Sequence, residues 1–96
     1  NNIQGVLAPN DGTAGGCIQA LTAQGLAGKV PITGQDSELA GLQRIIAGTQ
    51  GMTIFKDSRE ESKAAIAAAI KIAKGEDPGI NNKVNNGKID VPSVLL

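Results

Sequence analysis

The chain has 96 residues, nine Lys+Arg against nine Asp+Glu, no His, one Cys and a single aromatic, Phe55, which bounds it to one domain at most. This inventory excludes a basic, ring-stacking nucleic-acid face, a zinc site, a Ser-His-Asp or Cys-His engine and a disulfide framework, and its longest apolar run is too short to span a bilayer. What remains is a neutral, aliphatic, Gly-rich domain whose 41% hydrophobic residues are enough for a core.

Three units repeat one grammar of apolar strand, polar turn and amphipathic helix. In the first, Ile3 to Ala8 reads as a short buried strand stopped by Pro9-Asn10-Asp11-Gly12. Thr13 or Asp11 can cap the helix that follows, and Ala14, Ile18 and Leu21 form its buried stripe. Gly25 is a natural left-handed exit. Gly15 and Gly16 read as sites of close helix-on-sheet packing, and Cys17 as a small apolar filler beside the stripe.

In the second unit Val30-Pro31-Ile32-Thr33-Gly34 is the strand and Gln35-Asp36-Ser37 the turn. Its helix carries Leu39, Leu42 and Ile46 on one face and ends near Gly48. In the third, Met52-Thr53-Ile54-Phe55 is the strand and Lys56-Asp57 the turn. Ser58-x-x-Glu61 reads as a capping box, Ile66, Ile70 and Ala73 follow at helical spacing, and Gly75 stops the helix. Arg44, Arg59, Lys63 and Lys71 read as solvated helix faces. Beyond Asp77-Pro78-Gly79 the pattern changes, and Asn86-Gly87 between two short alternating runs predicts a hairpin.

Strands alternating with helices imply right-handed crossovers and a parallel sheet, so the fold class is α/β: a parallel sheet of βα units with a terminal hairpin. In such sheets ligands bind outside the carboxyl ends of the strands. That rule nominates Asn10 (with Asp11), Asp36 and Lys56. An amide, a carboxylate and an ammonium offer donors and acceptors with nothing that reacts readily, which suits a polyol that is held and released. The bland alternatives stay open: Asp36 capping a helix at Ser37, Asp11 capping the first helix, Asn10 forming a turn, Lys56 a solvated strand end. The glycines of Gly12-Thr13-Ala14-Gly15-Gly16 do not fit a dinucleotide fingerprint, and no phosphate loop is present. The sequence opens on Asn1-Asn2-Ile3 with no Met or basic n-region, and it closes on apolar Val94-Leu95-Leu96. Both ends read as cut through a fold, which predicts a fragment.

The stretches Val6 to Gly16, Ile32-Thr33-Gly34-Gln35-Asp36, Arg44 to Gln50, Met52-Thr53-Ile54-Phe55-Lys56 and Val91 to Leu96 resemble the D-xylose-binding proteins of bacterial ABC sugar importers. The resemblance runs through the whole chain in one register, with Cys17 and Phe55 standing where that pattern has Ala and Tyr. It implies part of a two-lobed periplasmic-binding-protein clamp of the ribose-binding type. Residues 1–56 would belong to the C-terminal sugar-binding lobe, residues 57–78 would be a helix crossing to the other lobe, and residues 79–96 a hairpin and strand returning to the hinge. By the same resemblance Asn10, Asp36 and Lys56 contact the sugar, and a helix meant for another lobe leaves Ile66 and Ile70 uncovered.

The expected function is therefore non-enzymatic binding of a monosaccharide, D-xylose, for delivery to an ABC permease. The resemblance implies no catalytic residue, metal or cofactor, and partners that are the sugar, the N-terminal lobe and the permease. It also implies a periplasmic or extracellular location, with contact to the membrane through a partner or an anchor outside these residues. A sugar sensor docking on a membrane histidine kinase is the alternative. A hydrolase-like enzyme lacks a nucleophile–base pair.

Overall fold

A computed structural model of the chain describes residues 2–79 and 93–96, with elements α1 (Asp11–Ala23), α2 (Leu39–Ile46), β1 (Ile54–Lys56), α3 (Ser58–Ala73) and β2 (Ser93–Leu95). The hairpin expected around Asn86-Gly87 lies outside the described residues. The chain divides into two compact units, Asn1–Phe55 with Val94–Leu96, and Lys56–Ser93.

In the first unit the expected strands at 3–8 and 30–34 run parallel but join through a single bridge, Val6 to Ile32. Val6 N–H donates to Pro31 O at 2.9 Å and Thr33 N–H to Val6 O at 3.1 Å. The ladder stops there for two local reasons. Pro31 has no N–H to extend it backwards. Ahead of the bridge, the Thr33 hydroxyl takes the place of backbone, accepting from Ala8 N–H at 2.9 Å and donating to Ala8 O at 3.0 Å, a side chain competing with the sheet. The third extended segment joins through Gly51 N–H to Ile32 O at 2.9 Å. β1 begins two residues later than the expected strand and pairs with β2. Beside it, Thr53 and Leu96 exchange both backbone bonds, at 2.9 and 2.8 Å, in the antiparallel manner.

α1 buries Ala14, Ile18 and Leu21, the expected stripe; Ala14 and Ile18 pack with Ala8 and Ile32, and Cys17 lies against that cluster. Ile18, Leu21 and Ile32 each contribute about 1.5–3 kcal/mol by leaving water. The cap differs from the expectation. Asn10 is the N-cap, its Oδ1 accepting from Thr13 N–H at 2.8 Å, while Asp11 is the first helical residue and turns inward. All three helices close alike, on Gly25, Gly48 and Gly75 at φ between 69 and 80°. For α1, Leu26 N–H reaches back to Leu21 O at 2.8 Å and Gly25 N–H to Thr22 O at 3.0 Å, a Schellman closure.

α2 turns two residues of its expected aliphatic face to solvent. Leu39 is 72% and Ile46 88% exposed, and the buried residue of this helix is Gly41. Its inner side faces a polar cluster, not an aliphatic one. Arg44, expected to be solvated, donates from Nη2 to Asp11 O at 2.7 Å and from Nε to Gln50 Oε1 at 2.9 Å. Gly15 lies against that guanidinium and Gly16 has nothing near it, so neither packs a helix on the sheet as expected.

In the second unit α3 starts one residue earlier than the expected box. Asp57 is the N-cap, accepting from Arg59 N–H at 2.9 Å, and Glu60 pairs with Lys63 at 2.9 Å. No residue of α3 is buried, and Ile66 and Ile70 are 59% and 50% exposed, uncovered as expected. Among the described residues no helix is long and apolar enough to cross a membrane.

Candidate functional site

The parallel bridge sends both flanking segments toward one end, so their exits, Asn10 and Asp36, emerge together. The contact is direct: Asp11 N–H donates to Gln35 O at 2.8 Å. Asn10 is half-buried, and its capping bond orients the amide, leaving the Nδ2 donors unused by the described residues. Asp36 is exposed and is not a helix cap, because α2 begins three residues later with Glu38 at the N-cap. The third nominee, half-buried Lys56, closes β1 and opens the second unit.

The turn carrying Asp36 is held in an unusual conformation. Asp36 and Ser37 have φ of 100° and 52°, a region that costs an L-residue about 1–2 kcal/mol each. The buried Ser37 hydroxyl has no hydrogen-bond partner among the described residues. Strain of this kind persists only where surroundings impose it, and here they do. Asp36 N–H donates to Ile54 O at 3.0 Å, Ser37 N–H to Thr53 Oγ1 at 3.1 Å and Glu38 N–H to Asp11 Oδ2 at 2.9 Å.

Asp11 is the residue that local pattern misread. It is fully buried, and its carboxylate also accepts from Gln50 Nε2 at 2.7 Å and Thr53 Oγ1 at 2.9 Å. Those donors lie 27, 39 and 42 residues away in sequence, beyond the reach of any periodicity. Gly34 and Gly41 make room for this side chain, since an added Cβ at either would collide with the Asp11 carboxylate. Three donors thus meet the two oxygens of this buried side chain.

Chemically, the edge offers Asn10 as donor and Asp36 as acceptor for two hydroxyls. A cavity of about 420 Å³ opens nearby between Pro9, Thr33, Gln35, Met52 and Ile54, but its walls are mostly apolar and include neither Asn10 nor Asp36. The polar edge, not that cavity, is the candidate site. Among the described residues no three of His, Cys, Asp and Glu cluster as a metal site.

Residues 1–77 match the family described as periplasmic binding protein domain. The whole chain is 52% identical to the D-xylose-binding periplasmic protein of Escherichia coli strain K12 and 48% identical to that of Haemophilus influenzae, and it spans 29% of the length of each. A carbohydrate transporter solute-binding protein from Chloroflexus aurantiacus, solved with D-glucose, is 41% identical with a TM-score of 0.69, over 96% of this chain and 28% of that one.

Proposed function

The chain belongs to the periplasmic binding protein domain family, and from that premise we propose that it forms part of the C-terminal lobe of a clamp that binds D-xylose for an ABC permease. The observation that carries this reading is the meeting of the Asn10 and Asp36 exits at one edge, joined by the Asp11–Gln35 bond, in a chain aligned along its full length with two D-xylose-binding relatives. The relative solved with D-glucose supports a sugar in the same general role while leaving the choice of sugar to side chains at the site.

In the proposed complex Asp36 accepts from two neighbouring sugar hydroxyls, Asn10 donates from Nδ2, and Lys56 donates from its ammonium. Nothing in this set attacks or abstracts, so the sugar is held, released and left unchanged. The opposing surface, including rings to stack on the sugar, comes from outside these 96 residues, with only Phe55 as an aromatic here. The assembled protein works in the periplasm. The sensor alternative finds no support in these relatives and is set aside.

Calorimetric titration of the complete gene product with D-xylose tests the reading. Saturable binding is expected, weakened roughly tenfold to hundredfold by Asp36→Ala as charge-assisted bonds are lost. No saturable heat, or full affinity in that variant, overturns it.

A further inference from the structure

We propose that Asp11 is a positioning residue for the sugar site: the buried carboxylate sets the backbone of residues 35–38 and so aims Asp36. The role rests on reading Asp36 as a sugar contact. Asp11 touches the turn on both sides of Asp36. Its N–H fixes Gln35 O at 2.8 Å, and its Oδ2 fixes Glu38 N–H at 2.9 Å. Between them acts a relay: Thr53 Oγ1 donates to Asp11 Oδ2 at 2.9 Å, which turns its lone pair toward Ser37 N–H at 3.1 Å.

Gln50 Nε2, 2.7 Å from Oδ1, holds the other carboxylate oxygen, and its own Oε1 is held by Arg44 at 2.9 Å. Gly34 and Gly41 leave no room for the carboxylate to shift toward them. The carboxylate is therefore fixed from every side. The left-handed φ values at Asp36 and Ser37 are what this anchoring imposes on the turn.

The test uses the complete gene product with Thr53→Val, Thr53→Ser and Asp11→Asn. Two quantities are read: amide exchange at Ser37 and Glu38 against Ile18 in α1, and D-xylose affinity. Thr53→Val removes the relay hydroxyl at nearly constant volume. Exchange at Ser37 is expected to accelerate roughly tenfold with Ile18 unchanged, and affinity to fall roughly tenfold. Thr53→Ser should restore both. Asp11→Asn should loosen both amides, and the Thr53 pair decides the matter if that variant does not fold. In an Asp36→Ala background the affinity effect of Thr53→Val should vanish, as coupling through Asp36 requires. Unchanged exchange at Ser37, or an equal affinity loss without Asp36, overturns the proposal. Loosened amides in a protein that takes up no xylose would overturn the sugar reading and the site role together, with the loop anchoring still measured.

Discussion

Gly41 and Gly16 both occupy helix interiors, yet a methyl group would meet very different surroundings at each. At Gly41 the new Cβ would collide with Asp11, standing 2.6 Å from its Cγ, whereas at Gly16 nothing lies within 4 Å. Alanine normally favours a helix over glycine by about 1 kcal/mol. Gly16→Ala is therefore expected to stabilise by about 0.5–1 kcal/mol, and Gly41→Ala to destabilise by about 1–3 kcal/mol through overpacking against a carboxylate that three donors hold still. Denaturant unfolding of both variants checks the contrast, and a Gly41→Ala midpoint at or above wild type would contradict it. At this scale the sequence was legible where chemistry is local. Asn10 and Asp36 follow from strand exits, and Cys17 sits beside the α1 stripe. Asp11, Gln50 and Thr53 were not legible as one cluster, because their bonds join positions 39 and 42 residues apart.

Helix ends show how nearly equivalent signals compete. Asp57-Ser58-x-Glu60-Glu61 offers two overlapping caps, and Asp57 prevails because Arg59 supplies both a backbone N–H and a guanidinium, the latter at 2.8 and 3.0 Å. The Arg59 side chain first, and its N–H second, hold the Asp57 carboxyl down from 3.8 to about 2. A carboxyl lowered on folding stabilises the helix start above its unfolded value near 3.8, and that support is lost as pH falls toward 2. A carbon-detected titration of Asp57 should find its midpoint near 2, and a midpoint near 3.8 would contradict the pairing. Asp57→Asn, which keeps a capping oxygen, should remove this part of the acid dependence. The helix stops, by contrast, were read directly, since Gly25, Gly48 and Gly75 each supply the left-handed exit. In α2 the aliphatic pattern did not reveal the polar packing, in which Gly41 is buried and Arg44 reaches the Asp11 carbonyl.

For the molecule as a whole, the α/β class was legible from alternating apolar runs and helical stripes, but the extent of the sheet was not. Pro31 and the Thr33 hydroxyl reduce the first pairing to one bridge, which no count of apolar residues reveals. That bridge is nonetheless the feature that makes two strand exits share an end. The uncovered aliphatic faces, Leu39 and Ile46 on α2 and Ile66 and Ile70 on α3, belong to a chain that spans 29% of its D-xylose-binding relatives. The proposed site is accordingly one side of a clamp, made of hydrogen-bonding groups with few rings. A crystal structure of the complete gene product with D-xylose bound tests this most directly. Sugar hydroxyls are predicted within about 2.5–3.2 Å of the Asp36 carboxylate, Asn10 Nδ2 and Lys56 Nζ. A bound sugar that touches none of the three would contradict the account.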